Sequence, residues 1–299
     1  MDLRSRITKE LCDEVAQPWF PQLAEHLVGA AWSSLYAEIR LTKKNYSTNR
    51  MIEKSVRAPR SILATLDFNG LERQASEQIY LEKLPSNIEA NFETLGLCFA
   101  AADDQAIEYQ LSELKLAFDL IANVPSLYRT IIRLVRSVHI LDSGSDQHDV
   151  SFSDPSIPFS IFISIPSMHQ LNSSIRIAEA IVHEAMHLQL TLIDRLNSLV
   201  VDDEKKMFSP WKGEDRRPSG ILHALYVFSV IYISLPLLLP ANDIFISLRQ
   251  SEIKNQVQQI NSFRLFDGLT PLGRLFRDYL FEYFDQILIS YNQANSPLA

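Results

Sequence analysis

The apolar residues of this chain recur mostly at steps of three and four, the spacing of helix faces packed on a core. Leu23, Leu27, Ala30, Ala31 and Leu35 carry that spacing within a helical stretch over 8–40, broken at Pro18 and Pro21. Residues 41–60, LTKKNYSTNRMIEKSVRAPR, are basic and polar and predict a loop or an exposed helix. Helical spacing returns over 86–140, with a turn signal at Asn123-Val124-Pro125 and a face of Leu127, Ile131, Leu134 and Val138. The texture then changes. Residues 142–158 are rich in Ser, Asp and Pro and predict a linker, while FSIFISIP (159–166) alternates in β-branched and aromatic residues and predicts a strand. Asn172, Ser173 and Ser174 are cap residues for a helix running to about Val201. A polar loop over 202–218 follows, then a charge-free helix, then a last helix near 271–293 with Phe276, Tyr279, Phe281, Tyr283 and Phe284. The expected fold is mainly α with a small β-sheet beside the 172–201 helix. Two regions are expected: helical residues 1–141, and residues 142–299, which carry the candidate chemistry.

The charge-free stretch over 218–242, PSGILHALYVFSVIYISLPLLLPAN, raises the question of a membrane span, for which about 20 apolar residues suffice. Pro218, Pro236, Pro240 and a histidine interrupt it, and its proline-free part is at the lower limit of a span, so a buried core helix is the expectation. Composition agrees: 46% hydrophobic and 21% charged residues are an ordinary globular balance. A net charge of −8 gives no basic footprint for nucleic acid. Cys12 and Cys98 form no C-x-x-C pair, and the N-terminal MDLRSRITKELCDEV has no apolar signal core; both fit a cytoplasmic protein.

The chemistry sits on the 172–201 helix. Ala178, Ile181, Ala185, Leu188, Leu192, Leu196 and Leu199 form one apolar stripe, and His183 and His187 lie almost opposite. The segment His183-Glu184-Ala185-Met186-His187 is H-E-x-x-H, which sets two imidazoles one turn apart where both reach one ion. Two surface histidines are the bland alternative. A zinc or iron centre of this kind needs a third protein ligand and an open position. Asp194, Glu204, Glu214 and His223 are the downstream candidates. His223 stands out as the one histidine of the charge-free helix. Arg216 and Arg217 abut the start of that helix, and a guanidinium there offers a planar fork for an anionic co-substrate.

The blocks EAIVHEAMHLQL and SPWKGEDRRPSGILHALYVF together resemble the HExxH-type 2-oxoglutarate-dependent peptide β-hydroxylases, which act on ribosomally made, post-translationally modified peptides. The resemblance covers roughly 150–235. Its second block maps as Pro210-Trp211, then Asp215, Arg217 and Pro218, then Leu222-His223-Ala224; the family pattern has Arg where this chain has Lys212. The resemblance implies Fe(II) held by His183, His187 and His223, with O₂ and 2-oxoglutarate as co-substrates. It also implies Arg217 on the distal carboxylate of 2-oxoglutarate and a precursor peptide as substrate, with 1–141 as a candidate region for binding the peptide or its leader. The strand beside the metal helix looks like a zincin core. The alternative is a zinc metallopeptidase, in which Glu184 is the general base that activates water; a hydroxylase requires no such base.

Overall fold

The computed structural model describes residues 3–11, 17–29, 61–66, 79–94, 96–100, 103–142, 150–154, 157, 159–166, 172–239 and 243–294. The polar stretch over 41–60, Cys12 and most of the 142–158 linker lie outside these residues. The chain is mainly helical with a small mixed sheet.

The sheet has five strands: β1 (Ser61–Leu66), β2 (Ile79–Lys83), β3 (Ser137–Leu141), β4 (Ser151–Phe152) and β5 (Ser160–Ser164), in the order β1-β2-β3-β5-β4. β2, β3 and β5 run parallel, and β1 and β4 are antiparallel edges. The expected strand over 159–166 is β5, at the centre of the sheet's last three strands. Its residues are buried on both faces, although its alternation suggests one wet face. Ile161 and Ile163 join the main core, while Phe162 faces a second cluster with Ile88, Phe92, Leu141 and Ile157. Phe152 and His139 stack on Phe162 from the neighbouring strands, at ring-centroid distances of 4.3 and 4.7 Å.

Two expectations are corrected here. Val138 belongs to β3, not to a helix face: the helix Pro125–Leu134 ends at Val135, whose backbone is extended (φ −103, ψ 124). The expected loop over 202–218 contains a tight hairpin, β6 (Met207–Ser209) with β7 (Glu214–Arg216), turning at Gly213 with φ +67. The sheet also draws strands from both sides of residues 141/142, since β3 and β5 pair along their whole lengths.

The helices are α1 (Leu3–Leu11), α2 (Ser86–Glu93), α3 (Asp104–Ala122), α4 (Pro125–Leu134), α5 (Ser173–Leu196), α6 (Pro218–Leu238), α7 (Ile244–Gln259) and α8 (Pro271–Ala294). Residues 21–29 are also helical. α5 carries the H-E-x-x-H segment and is the central element, packed against β5, α3, α4 and α6. Of its predicted stripe, Ala178, Ile181, Ala185, Leu188 and Leu192 are buried and Leu196 is half-buried. Leu190, on the histidine side, is fully buried too, so α6 covers that side rather than water. Asn172 precedes the helix in the left-handed region (φ 68), and its side chain makes no capping hydrogen bond, contrary to expectation.

α6 is the charge-free helix. It is long and apolar enough to cross a membrane, yet about 72% of its most apolar window is buried inside the fold. Polar groups fix its start: the Asp203 carboxylate accepts from the backbone N–H and the hydroxyl of Ser219, each at 2.8 Å. That carboxylate answers the orphan donors and the positive end of the helix dipole. At the far end of α5, the chain is clamped by the segment before α8. Thr270 N–H donates to Leu199 O at 3.0 Å, and Val201 N–H donates to Gly268 O at 2.8 Å. Gly273 lies so close that a Cβ there would stand 2.0 Å from Leu199 O.

Candidate metal centre

α5 and α6 bring the three sequence-predicted histidines together. His183 Nε2 lies 3.2 Å from His187 Nε2, and His187 Nδ1 lies 3.2 Å from His223 Nδ1. The spacing has a local cause. Residues one turn apart on α5 project side by side, and Phe228, five residues beyond His223 on α6, meets the His183 ring edge-on at 5.3 Å. Two imidazole nitrogens, each about 2.1 Å from one ion, would stand about 3.0–3.4 Å apart for bond angles of roughly 90–109°. The His183–His187 pair meets that condition. His223 approaches the other nitrogen of His187, so its ring must rotate to join the same ion. Among the described residues, no group of three His, Cys, Asp or Glu side chains is gathered around a common ion position.

The electrostatics keep the imidazoles neutral, as a metal ligand must be. Burial pushes His183 down to about 4, with Arg249 and Lys212 adding to the shift. Burial also takes His187 well below its ordinary range, with further repulsion from His183, His223 and Lys212. His223 is lowered by burial, against the opposing pull of Asp194 and Asp203.

Glu184 behaves in the opposite sense. Burial raises its carboxyl from the ordinary 4.5 to about 7, while hydrogen bonds from Ser151 and Ser153 and the charge of Lys212 hold it back. The Ser151 hydroxyl donates to Glu184 Oε1 at 2.7 Å, which ties α5 to edge strand β4. Glu184 Oε1 lies 3.8 Å from His183 Nε2.

The other acidic candidates have structural occupations. The Asp194 carboxylate accepts from Leu199 N–H at 2.8 Å and closes the end of α5. Glu214 is exposed and pairs with Arg216 at 2.6 Å. Arg217 is the exposed N-cap residue of α6; its carbonyl accepts from Ile221 N–H at 3.1 Å, and its side chain makes no hydrogen bond or ion pair among the described residues. It stands six residues before His223, about 9 Å along the helix axis.

Sequence reasoning missed a cleft beside His183. It holds about 260 Å³ between α5, β4, α6 and α7, with Arg176, Glu179, Ser151, Phe228 and Arg249 in its wall. Trp211, from the hairpin turn, stacks on Phe228 at 5.3 Å with the rings 2° from parallel. The indole Nε1–H of Trp211 is buried without a hydrogen-bond partner among the described residues. No local motif announces Arg249. Lys212 carries the one available hint, as the cation following Pro-Trp. A larger hollow of about 540 Å³ opens near the ends of β3 and β5; among the described residues its lining includes Asp103, Tyr109, Gln110 and Asp142 but no His, Lys or Arg.

A scan against protein-family models finds no match for the chain, and a search of curated proteins likewise finds none.

Proposed function

We propose that this protein is an Fe(II)- and 2-oxoglutarate-dependent oxygenase that hydroxylates a side-chain β-carbon in a ribosomally made precursor peptide. The observation that carries the reading is the meeting of half-buried His183, His187 and His223 across α5 and α6, all held neutral. In this reading those three side chains hold the metal. Bound Fe(II) would supply O₂ activation, with 2-oxoglutarate as the second source of electrons.

The remaining residues orient and wall the site. Arg217 forks onto the distal carboxylate of 2-oxoglutarate. Its partnerless position at the entry of α6 supports the assignment, and an arginine's length covers most of the axial distance to His223. Phe228 and Trp211 form an apolar wall on one side of His183. The α5–β5–β4 unit serves as a zincin-like core turned to oxidation, and its setting is the cytoplasm.

One observation favours the second reading, a zinc metallopeptidase. Glu184 titrates near 7 and lies beside His183, as a general base for water activation should. Its tie to Ser151 directs it instead to a positioning role between helix and sheet. Anaerobic reconstitution separates the two readings. The oxygenase takes up Fe(II) and, on exposure to O₂, turns 2-oxoglutarate into succinate and CO₂, with one oxygen atom of O₂ going to succinate and the other to the peptide. If the Zn(II)-loaded protein instead cleaves peptides and the Fe(II) form leaves 2-oxoglutarate unchanged, the oxygenase reading is wrong.

A further inference from the structure

We propose that the cleft beside His183 is a carboxylate-binding site with Arg249 as its anchor. The inference rests on the oxygenase reading only for which carboxylate fills it: that of free 2-oxoglutarate or that of an acidic side chain of the peptide.

The first observation is charge. The cleft wall includes Arg176 and Arg249 against Glu179, and Glu252 also pairs with Arg249, so the charges balance locally in a chain whose net charge is −8. A hollow whose charges balance repels an anionic guest less than the rest of an acidic protein does.

The second observation is the way Arg249 is held. Its Nε and Nη2 donate to Glu179 Oε1 at 2.8 and 2.7 Å, and its Nη1 donates to Glu252 at 2.6 Å. The guanidinium lies 5.5 Å from the centre of the Phe228 ring. A guanidinium has five N–H donors. Three serve the two glutamates, which leaves one on Nη1 and one on Nη2. Both side-chain rotation and plane are thus set before any ligand arrives, which lowers the ordering cost of binding. An arginine serving only as a brace between α5 and α7 has no need of the hollow in front of it.

The third observation is size and place. A volume of about 260 Å³ is below the roughly 300–1,000 Å³ of pockets for drug-sized ligands, and it suits a small acid or one side chain. Arg249, Phe228 and His183 line the same cleft, so a molecule held on Arg249 shares that hollow with His183.

The test uses metal-free protein and ligand-observed NMR titration, so it is independent of iron and of turnover. The probes are 2-oxoglutarate against 2-oxopentanoate, which lacks the second carboxylate, and a capped aspartyl peptide against its asparaginyl twin. At least one carboxylate probe is expected to bind at least tenfold more tightly than its neutral counterpart. The double variant Arg249→Gln/Glu179→Gln, which leaves only the exposed Glu252 without its partner, is expected to lose at least tenfold. A loss confined to 2-oxoglutarate identifies the co-substrate and moves its distal carboxylate from Arg217 to Arg249; a loss confined to the aspartyl peptide identifies the substrate side chain and leaves Arg217 its role. Arg249→Lys retains the charge without the fork and is expected to weaken binding several-fold, which serves if the double variant fails to fold. The proposal is overturned if neither carboxylate outbinds its neutral counterpart, or if a folded Arg249 variant keeps wild-type affinity. Failure of iron-dependent turnover with carboxylate binding intact would overturn the oxygenase reading alone.

Discussion

Replacing Glu184 with glutamine should stabilise the metal-free protein at pH 8 and have little effect at pH 4. The carboxyl is almost fully buried, and burial raises it from 4.5 to about 7. Because the folded-state value is raised, its contribution is fully present below about 4.5, where both states hold the proton. It is lost as pH rises from about 4.5 to about 7, because the unfolded state releases its proton while the folded state still holds it; above about 7 the folded state carries a buried charge. The gap of about 2.5 units corresponds to about 3 kcal/mol, at 1.36 kcal/mol per unit. The amide oxygen of the substituted side chain would still accept from the Ser151 hydroxyl, so the tie to β4 survives. The three histidines titrate with the opposite sign: their lowered values give stability that is present above about 6.5 and lost as pH falls. That contribution is common to both proteins and cancels in their difference. Urea unfolding of wild type and Glu184→Gln in the presence of a chelator, from pH 4 to 8.5, measures the difference directly. It should grow by about 3 kcal/mol between pH 4.5 and 8. A flat difference would mean that the carboxylate is solvated or paired, and the argument from burial would fail.

Three further outcomes are expected. His183→Ala and His187→Ala should abolish stoichiometric metal uptake by elemental analysis. His223→Ala should lose most of the affinity with its circular dichroism unchanged; wild-type metal content in that variant would remove His223 from the ligand set. Arg217→Ala should raise the Michaelis constant for 2-oxoglutarate by roughly tenfold to a hundredfold, from about 1.5–3 kcal/mol for hydrogen bonds to a charged group. Arg217→Lys should rescue it poorly, and an unchanged constant in the alanine variant would clear Arg217 of the role. Gly273→Ala should destabilise by roughly 1–3 kcal/mol, since its Cβ would meet Leu199 O at 2.0 Å; a melting temperature within a degree of wild type would contradict that packing.

The parts of this molecule that were legible in the sequence are those whose signal is local. β5 is announced by its aromatic and β-branched run, and α5 by its apolar stripe. The meeting of His223 with His187 was legible because a histidine stands alone in a helix with no charge. Where the signal is shared between distant segments, reading failed. The Leu127–Ile131–Leu134 spacing continues by accident to Val138, yet Val135 is already extended, and only pairing with β2 and β5 makes residues 137–141 a strand. α7 buries only Ile246, Ile253 and Val257, too sparse a face to stand out, although Asp243 does cap it. Arg249 meets Glu179 across 70 positions, and no pattern along the chain couples them.

The pairing of β3 with β5 has a consequence for any shortened form of this protein. Residues 137–141 satisfy the backbone groups of residues 160–164 along one whole side. A chain beginning at residue 142 would retain the histidines and α6, but it would present that side of β5 as an open row of donors and acceptors on a strand buried on both faces in the whole protein. Such a row is a template for pairing with other chains. The segment that carries the chemistry, produced by itself, is therefore an aggregation hazard, and residues 1–141 act toward it as a covalently attached chaperone.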